Sequence, residues 1–445
     1  MFKKCLFLLV FSFTLLIAIP TPAISYAQVI HKVKYGDSLS KISDQYGLNL
    51  AELATLNGLK DNSQLVLGQA ILIPGSTYIV QPKDSIWEIA NRHVISEQKL
   101  MSHNNLKSRI IIPGQKLDIP RHAKTNIWAG TYFVPKDKDR NAWMLDHFQN
   151  SLSSIFVFEY RPDSQGNIIQ VNENEAHTLA WKKDLPPYAT LTNLSEKGFD
   201  TELTHQVISN STIRKKLIEN IYFLLDSHDY KGVVVDFELV QTEDRENLNQ
   251  FVKELTQRLH PKGMEVMIAV PPKEGDYVPD YSSAYDYKTL GQYVDRIFLM
   301  TYNWHWPGGP SGPISPIDKV RATLDYAVSV VPRSKLMLGI PQYAYDWTIK
   351  EKDRVGTAYS TQHAIDLYTR YESEIHYDEI AATPWFRYVD EEGTLHEVWF
   401  EDPRSLLAKF RLVHEYGLGG MGCWHLGITM PQTEEIILEE FNVIK

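Results

Sequence analysis

Cysteine is nearly absent from this chain. Of 445 residues only Cys5 and Cys423 are cysteine. Cys5 falls in a leader-like segment, so no intrachain disulfide can brace the rest of the chain and stability has to come from a packed core. Positive charge is also in deficit: 45 Lys and Arg stand against 55 Asp and Glu, a formal net charge of −10. That balance gives no support for binding nucleic acid. Metal-ligand spacing is missing as well. There is no cysteine pair, and His414-Glu415 lacks the second histidine of a zinc helix. No metal or cofactor is expected.

What is present is an ordinary globular composition, 43% apolar and 22% charged, with room for one large domain and one or two small ones. The start divides into Lys3 and Lys4, an apolar run from Cys5 to Ile19, then Pro20, Pro22 and Ser25-Tyr26-Ala27. This is the form of a secretory signal peptide over 1–27, cleaved after Ala27. The alternative is an uncleaved anchor, for which the run is short. Either way the rest of the chain is expected outside the cytoplasm, and cleavage would leave it secreted, with no stable membrane partner. Cleavage removes two lysines and no acid, taking the charge from −10 to −12.

Two segments repeat just under fifty residues apart. "HKVKYGDSLSKISDQYG" (31–47) matches "YIVQPKDSIWEIANRHV" (78–94), "TLNGL" matches "SHNNL", and "LGQAILIP" matches "PGQKLDIP". Each copy reads as a short strand, Asp-Ser at a helix N-cap, two short helices ending near Asn57 or Asn104, and a closing strand. These segments, 29–75 and 76–121, resemble LysM modules, departing at Pro82-Lys83 where the first copy has Tyr35-Gly36. The resemblance implies binding of N-acetylglucosamine-containing glycans, peptidoglycan or chitin; spacer domains without a ligand are the alternative.

From about residue 125 strands alternate with helix-length segments: 127–134, 154–160, 188–194, 232–239, 265–270, 296–302, 335–340 and 419–426. Eight such strands over roughly 320 residues predict an α/β fold, a (β/α)8 TIM barrel spanning 125–445. The stripes Ile213, Leu217, Ile221, Leu224, Leu225 and Leu248, Phe251, Leu255, Leu259 read as barrel-facing helix surfaces. The seventh interval is too long. About 80 residues there contain "AATPWFRYVDEEGTLHEVWFED" (381–402), two alternating runs around Glu392-Gly393. They predict a hairpin within an inserted α+β subdomain, about 343–402, forming a cleft wall.

"GVVVDFELV" (232–240) is the informative strand. Buried valines lead into Asp236 and Glu238, two apart and so on one face, at the end where barrel enzymes carry their chemistry. "KGVVVDFE" is similar to the fourth-strand signature of glycoside hydrolase family 18, Asp-x-x-Asp-x-Asp-x-Glu. "MTYNW" (300–304), "GIPQY" (339–343) and "GGMGCWHL" (419–426) resemble its motifs after strands six, seven and on eight. "YDW" (345–347) and "VWFED" (398–402) resemble the bacterial branch with N-terminal LysM modules, N-acetylglucosaminidases acting on peptidoglycan, often in spore cortex or germination.

The resemblance implies substrate-assisted, retaining hydrolysis. Glu238 would be the general acid, Asp236 would orient the substrate's acetamido N–H, and Tyr302 would donate to its carbonyl. Trp424 would form the floor under the sugar. Asn303, Tyr343, Trp399 and Met300 are further candidates for binding substrate or shaping the cleft. Two family acids are replaced, by Lys231 and Val234, and Asn303 stands where the family has Asp. Val234 deprives Asp236 of its usual buried partner. A chitinase using the same residues, or a non-catalytic wall lectin, are the alternatives. Gly417, Gly419 and Gly422 spell G-x-G-x-x-G without the strand-to-helix setting of a dinucleotide site. "HWPGGPSGP" (305–313) reads as a rim loop. The leader predicts a mature chain beginning at Gln28, which N-terminal sequencing of exported protein would read.

Overall fold

The computed structural model describes residues 29–60, 63–93, 95–120, 124–172, 175–349 and 356–445. The expected signal peptide at 1–27 lies outside them.

The two repeats fold alike. The first runs Val29–Lys32, helices Leu39–Tyr46 and Leu50–Leu56, then Ala70–Ile73. The second runs Thr77–Ile79, Ile86–Arg92, Glu97–His103, then Lys116–Asp118. In each the outer strands pair antiparallel. Ser38 caps the first helix by accepting from the Lys41 N–H, and Ser85 does the same for the Glu88 N–H, a contact worth about 1 kcal/mol. The asparagine of each repeat explains the Leu-Asn pattern. Asn57 donates to Leu53 O and Leu72 O and accepts from Leu72 N, stitching helix end to closing strand. Asn104 does this with Leu100 and Asp118. Lys83 takes φ +75° where Gly36 takes +87°, so the departing loop keeps its shape against a left-handed penalty of roughly 1–2 kcal/mol.

Eight parallel strands form the barrel: β1 (Thr125–Phe133), β2 (Ser154–Pro162), β3 (Pro187–Thr192), β4 (Gly232–Asp236), β5 (Glu265–Val270), β6 (Arg296–Leu299), β7 (Leu336–Pro341) and β8 (Gly420–Trp424). Each pairs with its sequence neighbours, and β1 closes the ring by pairing with both β8 and β2. All eight expected strands are present. β4 and β6 end earlier than expected because the chain leaves the ladder after Asp236 and Leu299; Leu239 and Asn303, just beyond, have φ of +54° and +64°.

Alternation sorts the side chains. Val233 and Val235 join the layer beneath the helices, where Leu217, Ile221, Leu225, Leu248, Phe251, Leu255 and Leu259 are buried. Val234 joins the barrel interior with Trp128, Phe156, Met267 and Phe298. Between β7 and β8 stands a five-stranded antiparallel sheet of Gly356–Ser360, Tyr343–Thr348, Leu395–Trp399, Thr383–Val389 and His376–Asp378, with helix Thr361–Arg370. The expected hairpin is Thr383–Val389 paired with Leu395–Trp399, turning through Gly393 at φ +79°.

The first repeat is fastened to this insertion. Ile375 N donates to Leu67 O (2.8 Å), Gln69 Nε2 to Tyr368 Oη (3.2 Å), and Gln362 Nε2 to Gly58 O (3.0 Å). The two repeats share one apolar cluster. A cleft of about 460 Å³ lies where they meet the insertion, lined by His31, Tyr46, Tyr78, Tyr377 and Arg404. Some of its polar groups pair within the repeats, as His31 does with Asp37 and Tyr78 with Asp84.

Gly68 sits in this seam at φ +80°, and a Cβ there would fall 2.0 Å from Ile375 O; Gly47, at φ +70°, faces open space. Both Gly→Ala changes carry the left-handed penalty of about 1 kcal/mol. Gly68→Ala should lose clearly more than Gly47→Ala in chemical denaturation. Equal losses would mean the seam is not rigid.

Candidate active site

The site begins where β4 ends. Asp236 pairs in register with Thr192 of β3 and is 4% exposed, its carboxyl directed to the barrel interior. Phe237 returns to the helix side, stacking on Phe251 at 5.8 Å. Glu238 then comes back to the mouth although it is no longer in the strand. Three contacts hold it there. Asn193 accepts from Glu238 N (2.9 Å) and donates to Glu238 O (2.8 Å), while Tyr285 Oη donates to Phe237 O (2.6 Å). The turn is therefore fixed from β3 and from the segment after β5.

Burial governs the electrostatics. Desolvation pushes Asp236 up to about 7; the nearby Tyr132 hydroxyl draws it down and the charge of Glu159 raises it. Tyr132 Oη approaches Asp236 as a hydrogen-bonding group, yet neither it nor Asp236 Oδ1 completes a short, well-aligned hydrogen bond among the described residues. Glu238 is raised well above the usual carboxylate range, by burial first and then by Asp236. Two coupled carboxyls in one apolar mouth retain a proton between them near neutrality. Tyr302, buried and facing both acids, is held well above its ordinary value and remains an O–H donor.

Around the acids lies a wall of rings. Tyr302 meets Tyr343 edge-on at 6.4 Å. Tyr343 and Tyr345 both donate to Asn303 Oδ1, at 2.6 and 2.8 Å. Asn303 itself is exposed. Trp424, at the end of β8, is half-buried and packs edge-on to Tyr132 (5.2 Å) and Phe158 (4.9 Å). Trp399 of the insertion stacks on Trp385 at 5.7 Å and donates to Glu397. Met300 is buried in the barrel-interior cluster that also contains Tyr302, Tyr345 and Trp399.

The structure thus brings Asp236, Glu238 and Tyr302 together, with Asn303, Tyr343 and Trp424 at the same mouth, and Met300 and Trp399 share the buried cluster that holds Tyr302 and Tyr343. Sequence reasoning missed Tyr132, Glu159, Asn193, Tyr285 and Tyr345. Asn193, the first residue past β3, was visible as a polar residue at a strand end. Glu159 was not, for alternation along β2 assigns it to the outer face. Of the two lost acids, position 231 is remote: Lys231 lies just before β4 at the opposite end of the barrel, 3.6 Å from Glu265. Val234 is fully buried one layer beneath Asp236.

A raised carboxyl beside a second carboxyl, a buried phenol and an aromatic floor can deliver a proton to a leaving oxygen in a water-poor cleft. It also destabilises the fold. The folded-state values of both acids lie above those of the unfolded chain. The stability linked to Asp236 is therefore complete below the ordinary carboxylate range and is lost as pH rises through about 7. Asp236→Asn should raise Tm at pH 8 by roughly 3 °C or more and change it much less at pH 4. An unchanged Tm at pH 8 would mean Asp236 is not desolvated in the folded state.

Residues 163–428 match glycosyl hydrolases family 18, and residues 31–74 and 78–120 match the LysM domain. The chain is 34% identical over 425 residues to a cortical fragment-lytic enzyme of Bacillus anthracis, covering 93% of this chain and 98% of that one. Among solved structures it is similar to the spore cortex-lytic enzyme SleL of Bacillus cereus, at TM-score 0.86 and 33% identity, over 94% of this chain and 100% of that one. The Bacillus megaterium QM B1551 SleL gives TM-score 0.82 and 31% identity, over 94% and 99%. LysM domains joined to such a barrel make peptidoglycan or chitin-type glycan the class of polymer engaged. The chain belongs to glycoside hydrolase family 18 and is a glycosidase.

Proposed function

We propose that this glycosidase is an N-acetylglucosaminidase that cleaves the β-1,4 bond after N-acetylglucosamine in peptidoglycan. Spore cortex is its substrate form, a reading supported by the cortex-lytic names of its relatives. The observation that carries the chemistry is the buried Asp236–Glu238 pair at the end of β4, with Tyr302 facing both.

Glu238 gives its proton to the glycosidic oxygen as the C1–O bond breaks. The substrate's 2-acetamido oxygen attacks C1 from the other face, so no protein nucleophile is needed. Asp236 accepts the acetamido N–H, and the Tyr302 O–H donates to the acetamido carbonyl. Glu238, now a carboxylate, takes a proton from the water that opens the cyclic oxazolinium ion, and the product retains its configuration. Trp424 offers its face to the pyranose C–H bonds. Because Asn303 Oδ1 is occupied by Tyr343 and Tyr345, Asn303 presents its N–H2 to the sugar. Met300 and Trp399 shape the cleft from behind. The LysM modules, at 29–75 and 76–121, hold the polymer while the barrel cuts. The protein is exported by its leader to the cell wall or spore envelope.

Digestion of vegetative peptidoglycan, spore cortex and chitin oligomers by wild type and Glu238→Gln tests this. Wild type should release cortex fragments with N-acetylglucosamine at the new reducing end. The variant should bind and cut at least about 100-fold more slowly. Cleavage of chitin oligomers alone would make the enzyme a chitinase, and binding without cleavage of any polymer would make it a lectin.

A further inference from the structure

Resting on the glycosidase reading of Asp236 and Glu238, we propose that Glu159 is a positioning residue. It supplies, from β2, the buried acid that Val234 no longer supplies from β4, holding the shared proton on the Asp236–Glu238 pair.

The backbone is built to turn this side chain inward. In the β2–β3 ladder Val157 faces Ala189 but Tyr160 faces Leu191, three residues against two. Such a bulge re-aims a side chain. Phe156 and Phe158 belong to the barrel interior, while Val157 and Tyr160 lie beneath the helices. Glu159 is the extra residue, and it points inward after Phe158 instead of outward. It is 5% exposed. Its Oε2 accepts from Thr192 Oγ1 at 2.5 Å, and its Oε1 accepts from Arg161 Nη2 at 2.5 Å. Thr192 is the residue directly opposite Asp236, so Glu159 is one hydroxyl away from the catalytic rim. Its charge raises Asp236.

The groups facing Asp236 are Tyr132 from β1, Glu159 from β2, Glu238 just after β4, Tyr285 after β5 and Tyr302 after β6. Glu159 is the one of these acids to which the proposed reaction gives no direct part. Arg161, 25% exposed at its side chain, is the counter-charge that tempers it. A buried acid bonded to a threonine and an arginine is compatible with a purely structural role, so the test needs a readout of charge.

The working form of the pair carries one proton, and its loss sets the basic limb of the kcat/KM profile. Glu159→Gln keeps an acceptor for Thr192 and deletes the charge. It should move the basic limb to lower pH by about one unit. Just above the wild-type limb, kcat/KM would then fall about tenfold relative to its optimum. Arg161→Gln removes the counter-charge and should move the limb the other way. Profiles are to be recorded with a chromogenic chitobioside and soluble cortex fragments. Carbon-13 titration of the Asp236 carboxyl in the unliganded full chain gives the same comparison without turnover. Opposite shifts in the two variants establish the role. Overlaying profiles, or shifts in one direction for both, overturn it, since a packing defect has no reason to follow the sign of the deleted charge. If wild type cuts nothing while the Asp236 titrations still move oppositely, the proposed reaction fails and the electrostatic coupling stands.

Discussion

One constraint organises the barrel mouth: two carboxyls must share an apolar pocket without both being ionised. Burying one charge in such a place is costly and burying two beside each other more so. Asp236 and Glu238 meet the constraint by retaining a proton, raised by desolvation and by each other. The surroundings are shaped by it. The phenols of Tyr132, Tyr302 and Tyr285 bring hydroxyl dipoles without charge, and the further charge that acts on Asp236 is negative, the carboxylate of Glu159. A cation against the pair would drain the proton that a general acid has to give.

Geometry has to be held as firmly as protonation. Glu238 lies beyond the last ladder bond of β4, so sheet pairing alone cannot place it. Asn193 grips its N–H and its C=O together, and Tyr285 pins the preceding carbonyl. Phe237 anchors the intervening residue in the helix layer. The long seventh interval serves the same end. Its sheet carries Tyr343 and Tyr345 to Asn303 at the mouth, and the first LysM module is bonded to the insertion at Leu67 and Gln69. The glycan-binding part and the cutting part are joined through the insertion that walls the cleft.

Much of this was legible. Eight apolar strand segments, the duplicated Asp-Ser and Asn positions, and the excess length before the last strand each arise from local rules of period, capping and loop length. The pair at 236 and 238 was legible because a valine run ending in acids is anomalous wherever both faces are buried. The hairpin around Gly393 was legible because the turn needs a positive φ. Trp399 and Met300 show the limit, since a motif match names a residue without saying whether it reaches the sugar or backs the residues that do.

By itself the sequence determined the barrel, its two LysM modules and the strand end that bears the acids, because periodicity and turn chemistry act over a few residues at a time. The tertiary structure alone decided what surrounds those acids. Alternation assigns Glu159 to the outside of β2, and a single extra residue in the β2–β3 ladder reverses it. Asn193 and Tyr285 are 45 and 48 residues from their partners in the 237–238 turn. Lys231, which stands where the family has an acid, lies just before β4 at the far end of the barrel. Contacts of that range depend on register between strands, and register is a property of the closed ring that no single segment contains.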